Sequence, residues 1–324
     1  MTTDSREVPM PLQHPASKEH FIPVYSNFII GGIAGCCAKT TIAPLDRAKI
    51  NFQTSEMYFN VKALFRFLRE SYKFHGFFSL WRGNSATLTR IFPYAAVQYS
   101  VHERAKSVLG IHEMDLSHMS LSSVRIRRFV AGCCAGTSSV ATTYPLDLAR
   151  ARMAVTQRVK YANLVDVLRS VYREEGIRSL YRGFAPALLG SIPYSGVAFF
   201  TFETLKEWRL KRRKAPEGGA GKTPLKLRPM ENLFCGATAG ILGQTCSYPL
   251  DIVRRRMQTA AVTGHPEYTR SILGTLRIVY QHEGVFHGLY KGVTMNWIKG
   301  PIASGVSFTV FHQIQHLHQL LRSR

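Results

Sequence analysis

Pro44-Leu45-Asp46-Arg47-Ala48-Lys49 decides the fold, because the chain contains this element three times. It returns as Pro145-Leu146-Asp147-Leu148-Ala149-Arg150 and as Pro249-Leu250-Asp251-Ile252-Val253-Arg254, the prolines standing 101 and 104 residues apart. Upstream of each, at one offset, lies a Gly-x-x-x-Gly: Gly31/Gly35, Gly132/Gly136 and Gly236/Gly240. Downstream, Gly76-Phe77-Phe78-Ser79-Leu80-Trp81-Arg82-Gly83 corresponds to Gly176-Ile177-Arg178-Ser179-Leu180-Tyr181-Arg182-Gly183. The third copy, Gly284 to Gly292, has one extra residue. A second proline follows each: Pro93, Pro193 and Pro301. Four features in register three times define an internal repeat of about 100 residues.

Each repeat holds two weakly polar stretches. Val130 to Leu146, Phe184 to Phe202 and Asn232 to Leu250 contain no charged residue, and about 20 residues of helix cross a bilayer core. The stretches near 24–43, 84–101 and 293–311 each contain one cation: Lys39, Arg90 and Lys299. The internal prolines predict kinks, and the Gly-x-x-x-Gly pairs predict close helix–helix approach. Between the spans lies an amphipathic segment. In Val61–Arg69, residues 61, 64, 65 and 68 share an apolar face opposite Lys62, Arg66 and Arg69, as in a helix lying in a membrane interface. The predicted fold is therefore an all-α membrane protein, with six transmembrane helices in three pseudosymmetric two-helix repeats and short amphipathic helices between the spans. The repeats span 21–110, 124–214 and 229–324, after an N-terminal extension over 1–20, with linkers near 110–124 and 211–229.

Composition narrows the function. The 324 residues include 42 Lys+Arg against 20 Asp+Glu, a net charge of +22. That excess suits anionic partners. A soluble nucleic-acid-binding protein would also be basic, but the chain has no zinc spacing, no RNP-like aromatic strand and no basic helix free of apolar span. An enzyme is disfavoured too: the histidines are scattered, and no Ser/His/Asp or Cys/His arrangement stands out. No catalytic residue, metal ligand or cofactor is expected. The six cysteines form no Cys-x-x-Cys pair and read as small helix-packing residues in a reducing compartment. The first twenty residues, with Asp4, Glu7, Glu19 and no apolar core, read as neither a secretory signal nor an Arg-rich transit peptide. Basic residues crowd both sides of the spans, so charge does not set the topology.

The Pro-x-Asp-x-x-Lys/Arg element, three times at about 100-residue spacing with an intervening Trp-Arg-Gly type element, resembles the mitochondrial carrier family over about Phe21 to Leu321. The resemblance implies a three-fold barrel around a central cavity in the mitochondrial inner membrane, multi-pass and monomeric, in contact with membrane phospholipid. The finer likeness lies in Trp81–Thr87, Tyr144–Thr156 and Tyr290–Gly292 with Met295-Asn296-Trp297. It implies antiport of an anionic small molecule, coenzyme A or dephospho-coenzyme A against adenine nucleotides, by alternating access. The alternative within the family is a carrier of ADP, ATP or AMP without coenzyme A.

The family pattern also assigns roles. A matrix gate pairs Asp46 with Arg150, Asp147 with Arg254 and Asp251 with Lys49. Gln53 and Gln258 hold the place of a bracing glutamine, which is Ala154 in repeat two. At the cytoplasmic gate the aromatic-acid-x-x-base element survives as Phe202-Glu203-Thr204-Leu205-Lys206. It weakens to His102-Glu103-Arg104-Ala105-Lys106 and to Phe311-His312-Gln313-Ile314-Gln315. Glu103 is expected to pair with Lys206, Glu203 to face Gln315, and Lys106 to face His312. Substrate contacts fall on Arg90 and Lys299, each seven residues after the repeat glycine, and on Gly190-Ser191 with Tyr194 one turn on. Lys39 and Arg255 are added as phosphate contacts. An intramembrane cation costs ~2.5–3.5 kcal/mol on insertion scales, and with no acid inside those spans, Lys39, Arg90 and Lys299 read as unpaired and functional.

Overall fold

The computed structural model describes residues 24–110, 121–157, 160–212, 229–269 and 271–322. The extension over 1–20 and most of both linkers lie outside them. Repeat one contributes α1 (Val24–Thr54), α2 (Val61–His75) and α3 (Asn84–Val108). Repeat two contributes α4 (Leu121–Val155), α5 (Leu164–Glu175) and α6 (Phe184–Arg212). Repeat three contributes α7 (Pro229–Thr263), α8 (Ile272–Gly284) and α9 (Val293–Arg322). Every long helix carries an internal proline: Pro44, Pro93, Pro145, Pro193, Pro249 and Pro301. Each deletes a backbone donor and bends its helix.

Three short helices connect the long ones, and side chains set their starts. Asn60 accepts from the Lys62 amide, Asn163 and Asp166 form a capping box, and Ser271 accepts from the Gly274 amide at 2.9 Å. Each then ends at a glycine, after which the chain turns back towards the ring. Gly83, Gly183 and Gly292 all have φ between 75° and 88°. At Gly183 a Cβ would also lie 2.9 Å from the Tyr144 hydroxyl and 3.0 Å from the Arg254 carbonyl, so only glycine fits. The extra residue of repeat three has a local solution. Repeats one and two cross between these glycines with three-residue bonds such as Arg82 N–H to Ser79 O (3.0 Å), whereas repeat three makes a π-turn, Tyr290 N–H donating to Val285 O at 3.1 Å.

The long helices close a ring: α1 packs on α3, α3 on α4, α4 on α6, α6 on α7, α7 on α9, and α9 back on α1. α1, α4 and α7 also meet one another. The core is concentrated where they meet, at the end carrying the short helices. Leu148, Met153, Tyr161, Val167 and Val171 form one cluster; Tyr248, Ile252, Tyr268 and Val279 form a second; Ala48, Phe52 and Met295 form the third. Burying valines such as Val167 and Val171 contributes about 1.5–3 kcal/mol each.

Three expectations change at this level. On α2, Leu64 and Leu68 pack inward with Ala63 and Phe67, while Val61 and Phe65 are exposed, so the apolar stripe is split between the core and the outer surface. None of the six Gly-x-x-x-Gly residues has an atom within 4 Å of a Cβ placed on it. They lie beyond the kinks, away from the end where the core gathers. Close approach falls instead on Gly32 against Phe92 and on Gly243 against the Tyr194 backbone, both at 2.8 Å. Of the cysteines only Cys235 is buried, and Cys37, Cys133, Cys134 and Cys246 are exposed, so packing accounts for one of them. Among the described residues only Ile177–Arg212 is long and apolar enough to cross a membrane on length and composition alone, while six long helices, two per repeat, match the expected fold.

Candidate functional site

The proline kinks gather the three acid–base segments inside the ring. Arg150 on α4 bonds Asp46 on α1, Arg254 on α7 bonds Asp147 on α4 at 2.7 Å, and Lys49 on α1 stands 3.8 Å from Asp251 on α7. Each acid thus meets the base of a neighbouring repeat, and the three pairs form a layer across one end of the ring.

The layer also holds the cations that had no evident partner. Lys299 donates to the second oxygen of Asp46 at 2.9 Å, and Arg90 stands 3.6 Å from the second oxygen of Asp147. The expectation that these two are unpaired is therefore corrected. Their partners lie outside their own spans, on the next helix of the ring, where no scan of one stretch would find them. Arg255 approaches the Arg254-bound oxygen of Asp147 at 3.3 Å, so three arginines surround one carboxylate that is 2% exposed. Lys39 shares the surroundings of Asp46, Arg150, Lys299 and Arg90 and is exposed.

The glutamines are unequal. Gln258 donates to Asp147 and to the Tyr144 hydroxyl, both at 2.9 Å, and accepts from Arg255 at 2.8 Å. Gln53 donates only to the Tyr248 hydroxyl at 3.1 Å, and its buried side-chain amide oxygen has no partner among the described residues. The residue in the place of Arg255 is Ile50 in repeat one, which explains the difference. Gly190 stands against Leu250 on α7, Tyr194 is partly exposed, and the Ser191 hydroxyl donates to its own helix at Leu188 O (2.7 Å).

At the other end of the ring the expected cross-helix pairs are absent. Lys106 bonds Glu103 at 3.1 Å and Lys206 bonds Glu203 at 3.2 Å, each within its own helix. Glu103 therefore does not reach Lys206, and no bond joins Glu203 to Gln315 or Lys106 to His312 among the described residues. These side chains are more than one-third exposed, as the ends of an open ring should be.

A second ionic layer, not foreseen from the sequence, fastens the short helices. Glu175, ending α5, binds both Arg152 on α4 and Arg182 before α6, the latter at 2.8 Å. Glu283, near the end of α8, binds both Arg256 on α7 and Lys291 before α9. The signal was present as arginine seven residues past the proline and as glutamate before Gly176 and Gly284. Repeat one has Asn51 and His75 there. The arginines also bridge repeats: Arg152 donates to Gln258 O (3.1 Å) and Arg256 to Gln53 O (3.2 Å), while in repeat one Arg47 and Asn51 both reach Ala154 O, at 3.3 and 2.8 Å. Burial works to raise the Glu175 carboxyl, but the hydrogen bonds and charges of Arg152 and Arg182 outweigh it and hold the group below the usual glutamate range. A cavity of about 300 Å³ lies between repeats one and two, lined by Arg47, His75, Trp81, Arg82 and Met153.

A closed ring of kinked helices, joined at one end by ion pairs between neighbouring repeats and gathering cations there, is the architecture of a solute transporter. The sequence profile of the mitochondrial carrier protein family matches residues 21–113, 123–213 and 225–320. The chain belongs to that family: it is a multi-pass transporter of the mitochondrial inner membrane. Among similar proteins, the mitochondrial coenzyme A transporter SLC25A42 of Xenopus tropicalis is 47% identical over 315 residues, covering 97% of this chain and 92% of that protein. The human protein of the same name is 49% identical over 311 residues, 95% of this chain and 92% of the relative. Solute carrier family 25 member 16 of Bos taurus is 38% identical over 300 residues, covering 91% and 89%.

Proposed function

We propose that this protein exchanges coenzyme A, or dephospho-coenzyme A, for adenine nucleotides by alternating access. The observation that carries this reading is the charge of the site. Seven bases (Lys39, Lys49, Arg90, Arg150, Arg254, Arg255 and Lys299) lie among three carboxylates (Asp46, Asp147 and Asp251), leaving four positive charges at the end of the ring that the ion pairs join. The 3′-phosphate and diphosphate of coenzyme A supply about four negative charges. Relatives named as coenzyme A transporters support the same choice.

In this reading the ion-pair layer is the matrix gate, braced by Gln53 and Gln258, and the open end faces the intermembrane space. Glu103, Lys106, Glu203 and Lys206 form the cytoplasmic gate in the alternate state. Lys39, Arg90, Arg255 and Lys299 bind phosphates, while Gly190, Ser191 and Tyr194 form the slot for the base. Binding then couples to opening. Phosphates that draw Arg90 from Asp147 and Lys299 from Asp46 remove one cation from each of two gate acids. A ligand shifts a conformational equilibrium only through such differential interaction. The protein acts as a monomer surrounded by phospholipid.

The test is reconstitution into liposomes preloaded with ADP, with uptake of labelled coenzyme A, dephospho-coenzyme A, ADP, ATP and AMP compared. Saturable coenzyme A uptake that depends on internal nucleotide is expected. Exchange of ADP or ATP with no uptake of either coenzyme would make it an adenine nucleotide carrier instead.

A further inference from the structure

The two mid-span cations obey one positional rule. Arg90, seven residues after Gly83 on α3, approaches Asp147 of the next repeat; Lys299, seven residues after Gly292 on α9, caps Asp46 of the next. In both cases the cation takes the carboxylate oxygen that the gate base leaves. Under the same rule the third position is Gly190, seven residues after Gly183 on α6, and its target is Asp251 on α7. Gly190 does lie there: a Cβ on it would stand 3.4 Å from the Cβ of Leu250, the residue before Asp251.

Glycine offers the carboxylate nothing, and Asp251 shows the consequence. Among the described residues its only ion pair is with Lys49, at 3.8 Å through one oxygen, and it accepts no hydrogen bond. Its side chain is 41% exposed, against 8% for Asp46 and 2% for Asp147. Lys49 meanwhile lies 5.3 Å over the Tyr248 ring.

We infer that the second oxygen of Asp251 recognises substrate, accepting a hydrogen bond from the exocyclic 6-amino group of an adenine ring seated in the space Gly190 leaves. This rests on the adenine-containing substrate proposed above. An ionised carboxylate can only accept, so its ligand must bring a donor. The surrounding bases outnumber the acids, so a cationic donor is repelled, and a neutral N–H on an otherwise anionic molecule suits the site. The bare Gly190 backbone and the partly exposed Tyr194 ring one turn on present surfaces against which a flat ring can lie.

Uptake of labelled coenzyme A by the reconstituted full chain is measured in competition with unlabelled coenzyme A and with its analogue bearing hydrogen in place of the 6-amino group. Hydrogen bonds to charged groups correspond to about tenfold or more in affinity, so the analogue should compete about tenfold more weakly or worse. Equal competition would overturn the inference while leaving the substrate reading intact. Failure to take up coenzyme A and every adenine nucleotide would instead remove that reading, and this inference with it. In a second arm, Gly190→Lys places an ammonium where Lys299 stands for Asp46. Uptake should fall and the two competitors should become equal; retained discrimination in a folded variant counts against Asp251. Should the variant not fold, the wild-type comparison decides alone.

Discussion

Asp147 sits among Arg90, Arg254, Arg255 and Gln258, and this crowding shapes what a single substitution can do. Arg90→Gln leaves Asp147 with three donors, whereas Lys299→Gln leaves Asp46 with Arg150 alone among the pairs described above. Both variants should lose substrate exchange by about tenfold or more if each cation binds phosphate, since charge-assisted bonds are roughly twice as strong as neutral ones. Stability should fall by a few degrees in Tm, more for Lys299→Gln, as read by thermal unfolding in detergent beside transport at matched amounts. Wild-type exchange in both variants would place the phosphate site elsewhere. A charge reversal probes the proposed gate. Asp147→Lys sets a fourth cation among three arginines and should abolish exchange, and adding Arg254→Asp should recover part of it. A double variant no better than the sum of the two singles would show that this pair is not coupled.

At the scale of elements, α5 and α8 are fastened by one glutamate each. Glu283 is 9% exposed and Glu175 18%, and removing one partner of a buried pair costs about 3–5 kcal/mol, less with exposure. Glu283→Gln should therefore lower Tm more than Glu175→Gln, and α2, which has His75 at this place, should be insensitive to His75→Gln. The pH dependence has a definite sign for Glu175, whose folded carboxyl lies below its usual value. Its stabilisation is fully present above the unfolded glutamate pKa of about 4.3 and is lost as pH falls through the lower folded value. The Tm gap between wild type and Glu175→Gln should thus be constant from pH 5 to 8 and close below about pH 4. A gap that closed near neutral pH would contradict this assignment. The ring of links from Arg152, Arg256, Arg47 and Asn51 to carbonyls of neighbouring helices ties these elements together, which is why damage to one short helix should reach the central pairs.

For the molecule as a whole, the ring is closed at one end and open at the other. Its three closing pairs are unequal: Asp147 has several donors, Asp46 has Arg150 and Lys299, and Asp251 has Lys49 at 3.8 Å. The Lys49–Asp251 pair is therefore the weakest of the three, although Lys299 and Asp46 join the same two repeats at 2.9 Å. Large apolar side chains are exposed along the long helices, Ile29, Phe199, Phe200, Phe234, Ile298 and Phe308 among them, which suits a chain surrounded by a bilayer. After alkaline carbonate extraction of mitochondria the protein should remain in the membrane pellet, and recovery in the supernatant would contradict its place in the family.

What the sequence by itself determined is whatever is local or repeated. Proline, glycine and cap residues fix where helices bend, end and begin through backbone sterics. Three copies in register, through their resemblance to the carrier family, imply a ring in which Asp46, Asp147 and Asp251 each face a neighbour's base. Even the extra residue between Gly284 and Gly292 was visible, though its resolution as a π-turn was not. Only the tertiary structure decided which groups meet across the ring. Lys299 and Asp46 are 253 residues apart, so their bond depends on how far the helices splay beyond the kinks, which no single stretch encodes. The same splay leaves the Gly-x-x-x-Gly faces uncovered and turns Glu103 and Glu203 back onto their own helices. Pseudosymmetry names the neighbours; the distance between helices decides whether their side chains touch.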